Sequence, residues 1–236
     1  MVKVAVLRSA GANCNDETAQ AFKMAGAEVE QVHINEFISS KKLDEYDVLA
    51  IPGGFSYGDY ISAGAILANQ LVTKLKKQLD EFVQSGKIII GICNGFQVLV
   101  KTGLLPGDGM KATLTNNSSG NFECRWIKLI GNYGEMHAPV AHAEGKFVAD
   151  EETIELLEKN NQIVYKYSDS EFPANPNGSV NDIAGISNKQ GNVIGLMPHP
   201  ERHLTCENHP EWTRTVCEEG EGLQFFRKII EKAEGK

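Results

Sequence analysis

The chain reads as an α/β protein, a three-layer sandwich in which helices cover both faces of a mostly parallel sheet. Strand-like runs alternate with helical periodicity through the first hundred residues. Val48–Ile51 and Ile88–Ile92 are continuously apolar rather than alternating, as strands buried on both faces must be. The second half carries more strand-like segments with fewer helices between them, so antiparallel additions to a flavodoxin-like sheet are expected.

Val2–Leu7 is the first strand, followed by the turn-forming stretch 9–16. Glu17–Ala27 has helical periodicity and meets its stop signal at Gly26. Val29–Ile34 and Val48–Ile51 are strands, the second stopped by Pro52-Gly-Gly54. One helix is predicted over Ala63–Val83, with Leu67, Leu71, Leu75, Leu79 and Phe82 on a single face. Gly86 ends it before the strand Lys87–Ile92, and a helix resumes over Phe96–Val100. Phe122–Ile130, Glu135–His142 and Ile163–Tyr167 follow as strands, with a helix at Glu151–Lys159. Ile183–Ser187 and Asn192–Met197 flank a hairpin turn at Asn188-Lys-Gln-Gly191, and a last helix covers Leu223–Ala233. With no linker, repeat or low-complexity tract, residues 1–236 read as a single domain.

The formal net charge is −8, which disfavours phosphate backbones and anionic membrane surfaces. The start lacks the pattern of a secretory signal, and no run approaches the roughly 20 apolar residues of a membrane span. The five cysteines are odd in number and irregularly spaced, so they are expected to stay reduced in a cytoplasmic protein.

Chemistry concentrates at three strand ends. Gly91-Ile-Cys-Asn-Gly95 follows the apolar Ile88-Ile-Ile90 and runs into a helix, the layout of a nucleophile elbow. The turn must be sharp enough to lift Cys93 above the sheet, and flanking glycines leave room for it. At a helix N-terminus the partial positive charge favours a thiolate. A thiolate needs a base held by a third group. Met197-Pro-His-Pro-Glu201 follows another strand; its prolines favour an extended backbone, which sets residues i and i+2 on one side. Cys93 is therefore assigned as nucleophile, His199 as base and acid, and Glu201 as the group that orients the imidazole. Pro52-Gly-Gly-Phe55 ends the third strand, and its glycines allow backbone N–H groups to face an anion. Gly54 and Asn94 are assigned as the oxyanion donors. Gly53, Phe55 and Gln97 are assigned to the substrate pocket. The stretch lacks the Gly-Lys-Ser/Thr ending of a phosphate loop.

Gly91-Ile-Cys-Asn-Gly-Phe-Gln97 and Pro198-His-Pro-Glu201 resemble the two signatures of class I, triad-type glutamine amidotransferases. The likeness extends to Gly53-Gly-Phe-Ser-Tyr-Gly-Asp-Tyr60, Phe122-Glu-Cys-Arg-Trp126, Pro139-Val-Ala-His142, Asn175-Pro-Asn-Gly-Ser179 and Arg202. Together these are similar to the glutaminase subunits of phosphoribosylformylglycinamidine synthases, over about residues 2 to 202 and again at the C-terminal helix. The resemblance implies hydrolysis of glutamine to glutamate and ammonia, and delivery of ammonia to a large ATP-using synthetase subunit. There it would convert formylglycinamide ribonucleotide to the formylglycinamidine ribonucleotide of purine synthesis. It further implies a small bridging subunit as a third partner, ATP and Mg on the synthetase, and no cofactor on this chain. Two positions depart from the family pattern: Tyr60 is followed by Ile61-Ser62 without an arginine, and Ala143 stands where glycine is expected.

Arg202–Gly222 is longer than in short members of the family and is expected to form a surface excursion, with Trp212 available to a partner. It holds His203, Cys206, His209 and Cys217, zinc-type residues whose spacing matches no standard zinc module, so no metal is assigned. His137 and His142 alternate with apolar residues on strand-like segments; a structural role is expected, with one of them facing the site as the alternative. Cys124 is expected in the core, and Cys14 lies near the sheet's carboxyl edge without a base of its own. Two other readings compete: another elbow-cysteine hydrolase, either a peptidase or a γ-glutamyl hydrolase, and a non-catalytic flavodoxin-like module.

Overall fold

The computed structural model describes residues 1–40, 42–214 and 217–235. Five strands run parallel: β1 (Lys3–Arg8), β2 (Glu28–His33), β3 (Val48–Ile51), β4 (Ile88–Ile92) and β11 (Val193–Leu196). β10 (Ile183–Ser187), β9 (Ile163–Tyr167), β6 (Glu123–Gly131) and β7 (Met136–His142) extend the sheet in antiparallel fashion. The resulting order is β2-β1-β3-β4-β11-β10-β9-β6-β7. A ribbon of β5 (Ala112–Thr115) with β8 (Lys146–Ala149) stands apart from the sheet. Helices α1 (Asn15–Met24), α2 (Ile34–Ser39), α3 (Ala65–Lys74), α4 (Lys76–Gln84), α5 (Asn94–Lys101), α6 (Glu151–Lys159) and α7 (Glu221–Ala233) complete the fold. No described helix is long and apolar enough to cross a membrane.

β3, β4 and β11 are buried at every residue, which is why their sequences are unbroken apolar runs. Their register fixes what comes next. Leu196 pairs with Ile92 and Ile51 with Gly91. The residues that leave these strands, Met197-Pro-His199, Cys93 and Pro52-Gly-Gly54, therefore emerge side by side at the carboxyl edge. That edge is where open α/β sheets place ligands.

Several expectations need correction. The helix predicted over Ala63–Val83 is two helices, broken at Leu75, whose φ of −123° and ψ of 5° are non-helical. Leu67 and Leu71 before the bend, and Leu79 and Phe82 after it, are all buried. The bend leaves the apolar stripe facing inward, so periodicity does not register it. Helix α2 went unpredicted because its start signal is the side chain of His33, which accepts a hydrogen bond from the Asn35 N–H, while Glu36 reaches back to the His33 N–H. The β5–β8 ribbon was also unpredicted.

Cys124 is exposed on β6, outside the core. Cys206 and Cys217 are joined in a disulfide, with Cα atoms 5.9 Å apart, against the expectation of reduced thiols. This pairing also removes both sulfurs from any metal ligand set. The excursion predicted over Arg202–Gly222 includes residues 215 and 216, which lie outside the described residues. Its neck is closed by N–H donation from Gly220 to the Leu204 carbonyl and from Gly222 to the His203 carbonyl. The rings of His203 and His209 each pack against Trp126 of β6 at 5.1 Å.

Candidate active site

Cys93 sits between β4 and α5 with φ 52° and ψ −107°, in the positive-φ half of conformational space that non-glycine residues avoid. Such a residue costs on the order of 1–3 kcal/mol and persists only where its surroundings enforce it. The flanking glycines show how. A Cβ at Gly95 would overlap the Ile51 carbonyl, and one at Gly91 would meet the Leu99 side chain at 2.6 Å. The Cys93 N–H donates to the Leu196 carbonyl at 2.8 Å, tying the elbow to β11.

His199 and Glu201 emerge from that same strand. His199 Nδ1 lies 2.6 Å from Glu201 Oε1, and both side chains are buried. The His199 N–H donates to the Pro139 carbonyl of β7, and the Arg202 N–H closes the short 3-10 turn Pro200–Arg202 onto the His199 carbonyl. Glu201, which sequence alone leaves free to be a surface carboxylate, is thus walled into the protein. Burial by itself would lower the His199 pKa. The Glu201 carboxylate and the sulfurs of Cys93 and Cys14 outweigh burial and hold it well above its ordinary value. His199 Nε2 and Glu201 Oε2 are buried without a hydrogen-bond partner.

Gly53 is the spacer at the centre. A Cβ there would lie 2.8 Å from His199 Cε1, 3.3 Å from Cys14 Sγ and 3.4 Å from Cys93 Cβ. Only glycine allows these three side chains to converge. Gly54 follows with φ 133°, and the next amide, Phe55, donates to the Gly11 carbonyl. Asn94 is the first residue of α5, where the backbone N–H has no acceptor within the helix. Its side chain fastens the adjacent loop: Oδ1 accepts from the Ser56 N–H, and Nδ2 donates to Asp59 Oδ1 and to Gln97 Oε1.

A cavity of about 50 Å³ opens beside Cys93, walled by Gly54, Phe55, Asp59, Gln97 and residues 141–144. Gln97 does reach the wall, but its amide is committed to Asn94 and to the Glu144 carbonyl. Asp59 and Glu144 give the cavity an acidic side that the sequence reading missed. Burial raises the Asp59 pKa, and the Glu144 charge pushes the same way against a backbone hydrogen bond from Gly64. His142 also belongs to this wall; burial, with the His199 charge, lowers its pKa to about 4. Asn117 Oδ1 lies 3.1 Å from its Nδ1. His137 instead pairs with Glu221 at the surface.

Cys14 is not isolated either. It is buried, and its Sγ accepts a hydrogen bond from the Arg202 guanidinium at 3.1 Å. Ligating atoms of Cys14, His199 and Glu201 fall within 4.8 Å of one another, a donor set of the kind zinc takes. The Arg202 guanidinium already places a cation at that sulfur. Arg202 adjoins the triad turn in sequence, which is the one local signal that could have drawn attention to it.

Comparison with known proteins agrees with this geometry. Residues 1–231 match the CobB/CobQ-like glutamine amidotransferase domain. A phosphoribosylformylglycinamidine synthase subunit PurQ from Dehalococcoides mccartyi is 46% identical, over 98% of this chain and 98% of the relative. The PurQ subunit of Methanocaldococcus jannaschii is 40% identical, over 98% and 99% of the two chains. Among solved structures, PurLQS from Thermotoga maritima superposes with a TM-score of 0.75 at 31% identity, covering 100% of this chain and 99% of that one. A glutamine amidotransferase from the same organism shares the fold at TM-score 0.53 and 15% identity, covering 100% of this chain and 86% of that one. The chain belongs to the CobB/CobQ-like glutamine amidotransferases and, among them, to the PurQ subunits of phosphoribosylformylglycinamidine synthase.

Proposed function

We propose that this chain is the glutaminase subunit of phosphoribosylformylglycinamidine synthase, and that Cys93, His199 and Glu201 carry its chemistry. The observation that supports this most strongly is the buried His199–Glu201 pair beside a strained cysteine at the end of a parallel strand. The Cys93 thiolate attacks the side-chain amide carbon of glutamine. The carbonyl oxygen takes the negative charge, and the N–H groups of Gly54 and Asn94 receive it. As the tetrahedral adduct collapses, imidazolium His199 gives its Nε2 proton to the departing nitrogen, which leaves as ammonia. The γ-glutamyl thioester is then attacked by water, His199 takes the water's proton, and glutamate leaves as the thiolate is restored.

The substrate's charge complements the cavity. Glutamine carries an α-ammonium group, and the carboxylates of Asp59 and Glu144 provide its counter-charge near Cys93. Phe55 shapes the wall and Gln97 holds it, while Gly53 sets the spacing of Cys93 and His199. The 54–63 loop supplies Gly54, Phe55, Asp59 and Ala63 to the wall of this cavity. That loop carries Tyr57, Asp59 and Ile61 at positive φ, and Ile61 is 91% exposed. It is the segment a partner can reshape.

Free ammonia released to water becomes ammonium, which has no lone pair for attack. The reading therefore includes a large synthetase subunit that receives ammonia directly and a small bridging subunit, as in the PurLQS assembly. ATP and Mg belong to the synthetase, the reaction is cytoplasmic, and residues 1–236 act as one domain. Glutamate release from glutamine tests the reading: slow for the chain alone, and sharply higher with the two partner subunits, ATP and formylglycinamide ribonucleotide. If no condition yields glutamate, while γ-glutamyl peptides are cleaved, the hydrolase alternative takes its place.

A further inference from the structure

We infer that Cys14 is a second working sulfur of this site, a positioning residue that steadies His199 and joins the oxyanion loop to the triad turn. Its role rests on the glutaminase reading above, since the group it positions is the base and acid of that reaction. The connections are direct. The Cys14 N–H donates to the Gly53 carbonyl, which fixes the base of the oxyanion loop. Its carbonyl accepts from the Thr18 N–H and from Thr18 Oγ1, anchoring the residue at the head of α1. Its Sγ accepts from Arg202 at 3.1 Å, one residue beyond Glu201. One buried residue thus touches three of the segments that form the site.

The sulfur's own proton has a separate acceptor, Asn13 Oδ1 at 3.4 Å. Its lone pairs are left for Arg202 and for the edge of His199. A Cβ on Gly53 would meet His199 Cε1, Cys14 Sγ and Cys93 Cβ together, and a ring nitrogen of His199 lies within 4.8 Å of Cys14 Sγ. His199 Nε2 is buried and unpartnered. Cys14 accepts from the imidazolium between turnovers, keeping the ring tilted so that Nε2 meets the leaving nitrogen when substrate arrives. Arg202 makes this possible by holding the sulfur in place and carrying the compensating positive charge.

The charged and titratable groups around His199 come from every neighbouring element. They are Glu201 on its own turn, Cys14 at α1, Cys93 at the elbow and His142 on β7, with Arg202 and Glu17 acting at one remove through Cys14 and Tyr167 through Cys93. Among these, Cys14 can be altered without removing the nucleophile, the base or the base's carboxylate.

The test compares Cys14→Ala, Cys14→Ser and Arg202→Met in the complex with both partner subunits. Cys14→Ala is expected to lower kcat for glutamine about tenfold, leave KM within twofold, and move the alkaline limb of the kcat profile to lower pH. Cys14→Ser, which keeps an acceptor of similar size, is expected to recover most of the rate. In NMR spectra of the chain alone, the downfield His199 Nδ1 proton is expected to titrate at lower pH in Cys14→Ala. This readout needs no glutaminase activity, so a wild type without that activity would sink the functional reading and leave this one standing. Wild-type kcat and an unmoved His199 titration in Cys14→Ala would overturn the proposal. So would equal losses in Cys14→Ala and Cys14→Ser accompanied by a fall in Tm, which would mark a purely structural thiol. If Cys14→Ala does not fold, Cys14→Ser and Arg202→Met decide it. A wild-type kcat in Arg202→Met then contradicts the proposal, and a tenfold loss of kcat there at unchanged KM, with near-wild-type Cys14→Ser, supports it.

Discussion

His199 Nδ1 and Glu201 Oε1 stand 2.6 Å apart in a part of the protein that solvent does not reach. The pair fixes the tautomer, because the nitrogen facing the carboxylate carries the proton, and Nε2 is buried without a hydrogen-bond partner. The His199 pKa lies above its ordinary 6.5, so the stability this pair adds is fully present below about pH 6.5 and is lost as pH rises through the raised folded value. Glu201→Gln removes the charge and keeps the shape. It is expected to lower kcat roughly a hundredfold or more and to move the alkaline limb of the pH profile downward. Steady-state rates across pH check both.

Asp59 and Glu144 make a different kind of prediction, because they are placed to hold substrate and not to react with it. Asp59→Asn and Glu144→Gln are each expected to raise KM for glutamine about tenfold, as loss of one charge-assisted contact does. Alkylation of Cys93 by chloroacetamide, which has no α-ammonium group, is expected to change less than twofold. Equal effects on both reactions would show that these carboxylates act on the nucleophile instead.

His142 predicts how the fold responds to acid. Its native pKa is about 4, against 6.5 for an exposed histidine. Between those values the unfolded chain takes up a proton that the native state refuses, so stability falls as pH drops from about 6.5 to 4. The loss is roughly 3 kcal/mol for a shift of this size. Urea unfolding at several pH values should show that slope in the wild type and a shallower one in His142→Gln.

The Cys206–Cys217 bond is open to a direct count. Denatured without reductant, the protein is expected to react as three thiols, those of Cys14, Cys93 and Cys124. After reduction the count is expected to be five, the total in the sequence. Five thiols before reduction would contradict the bond.

How far the sequence carried depended on whether a feature is local. The three strand-end motifs were legible because tight turns, glycines and prolines act over a few residues, and the sheet then brings them to one edge. The bend at Leu75 was not, since an apolar stripe continues unchanged across it. Nor was the pairing of Arg202 with Cys14, which lies 188 residues away. Asp59 and Glu144 escaped for the same reason: each is one acid among 31 until the fold sets them in one cavity. Gln97, assigned to the substrate pocket, lines the cavity with its hydrogen bonds committed to the protein wall.

The most direct test of the account is synthesis of formylglycinamidine ribonucleotide by the complex carrying Cys93→Ala, measured with glutamine and, separately, with ammonium chloride at alkaline pH. The account predicts that the glutamine-dependent rate is lost while the ammonia-dependent rate stays near wild type, because only the supply of ammonia runs through Cys93. A glutamine-dependent rate that survives the substitution would contradict it.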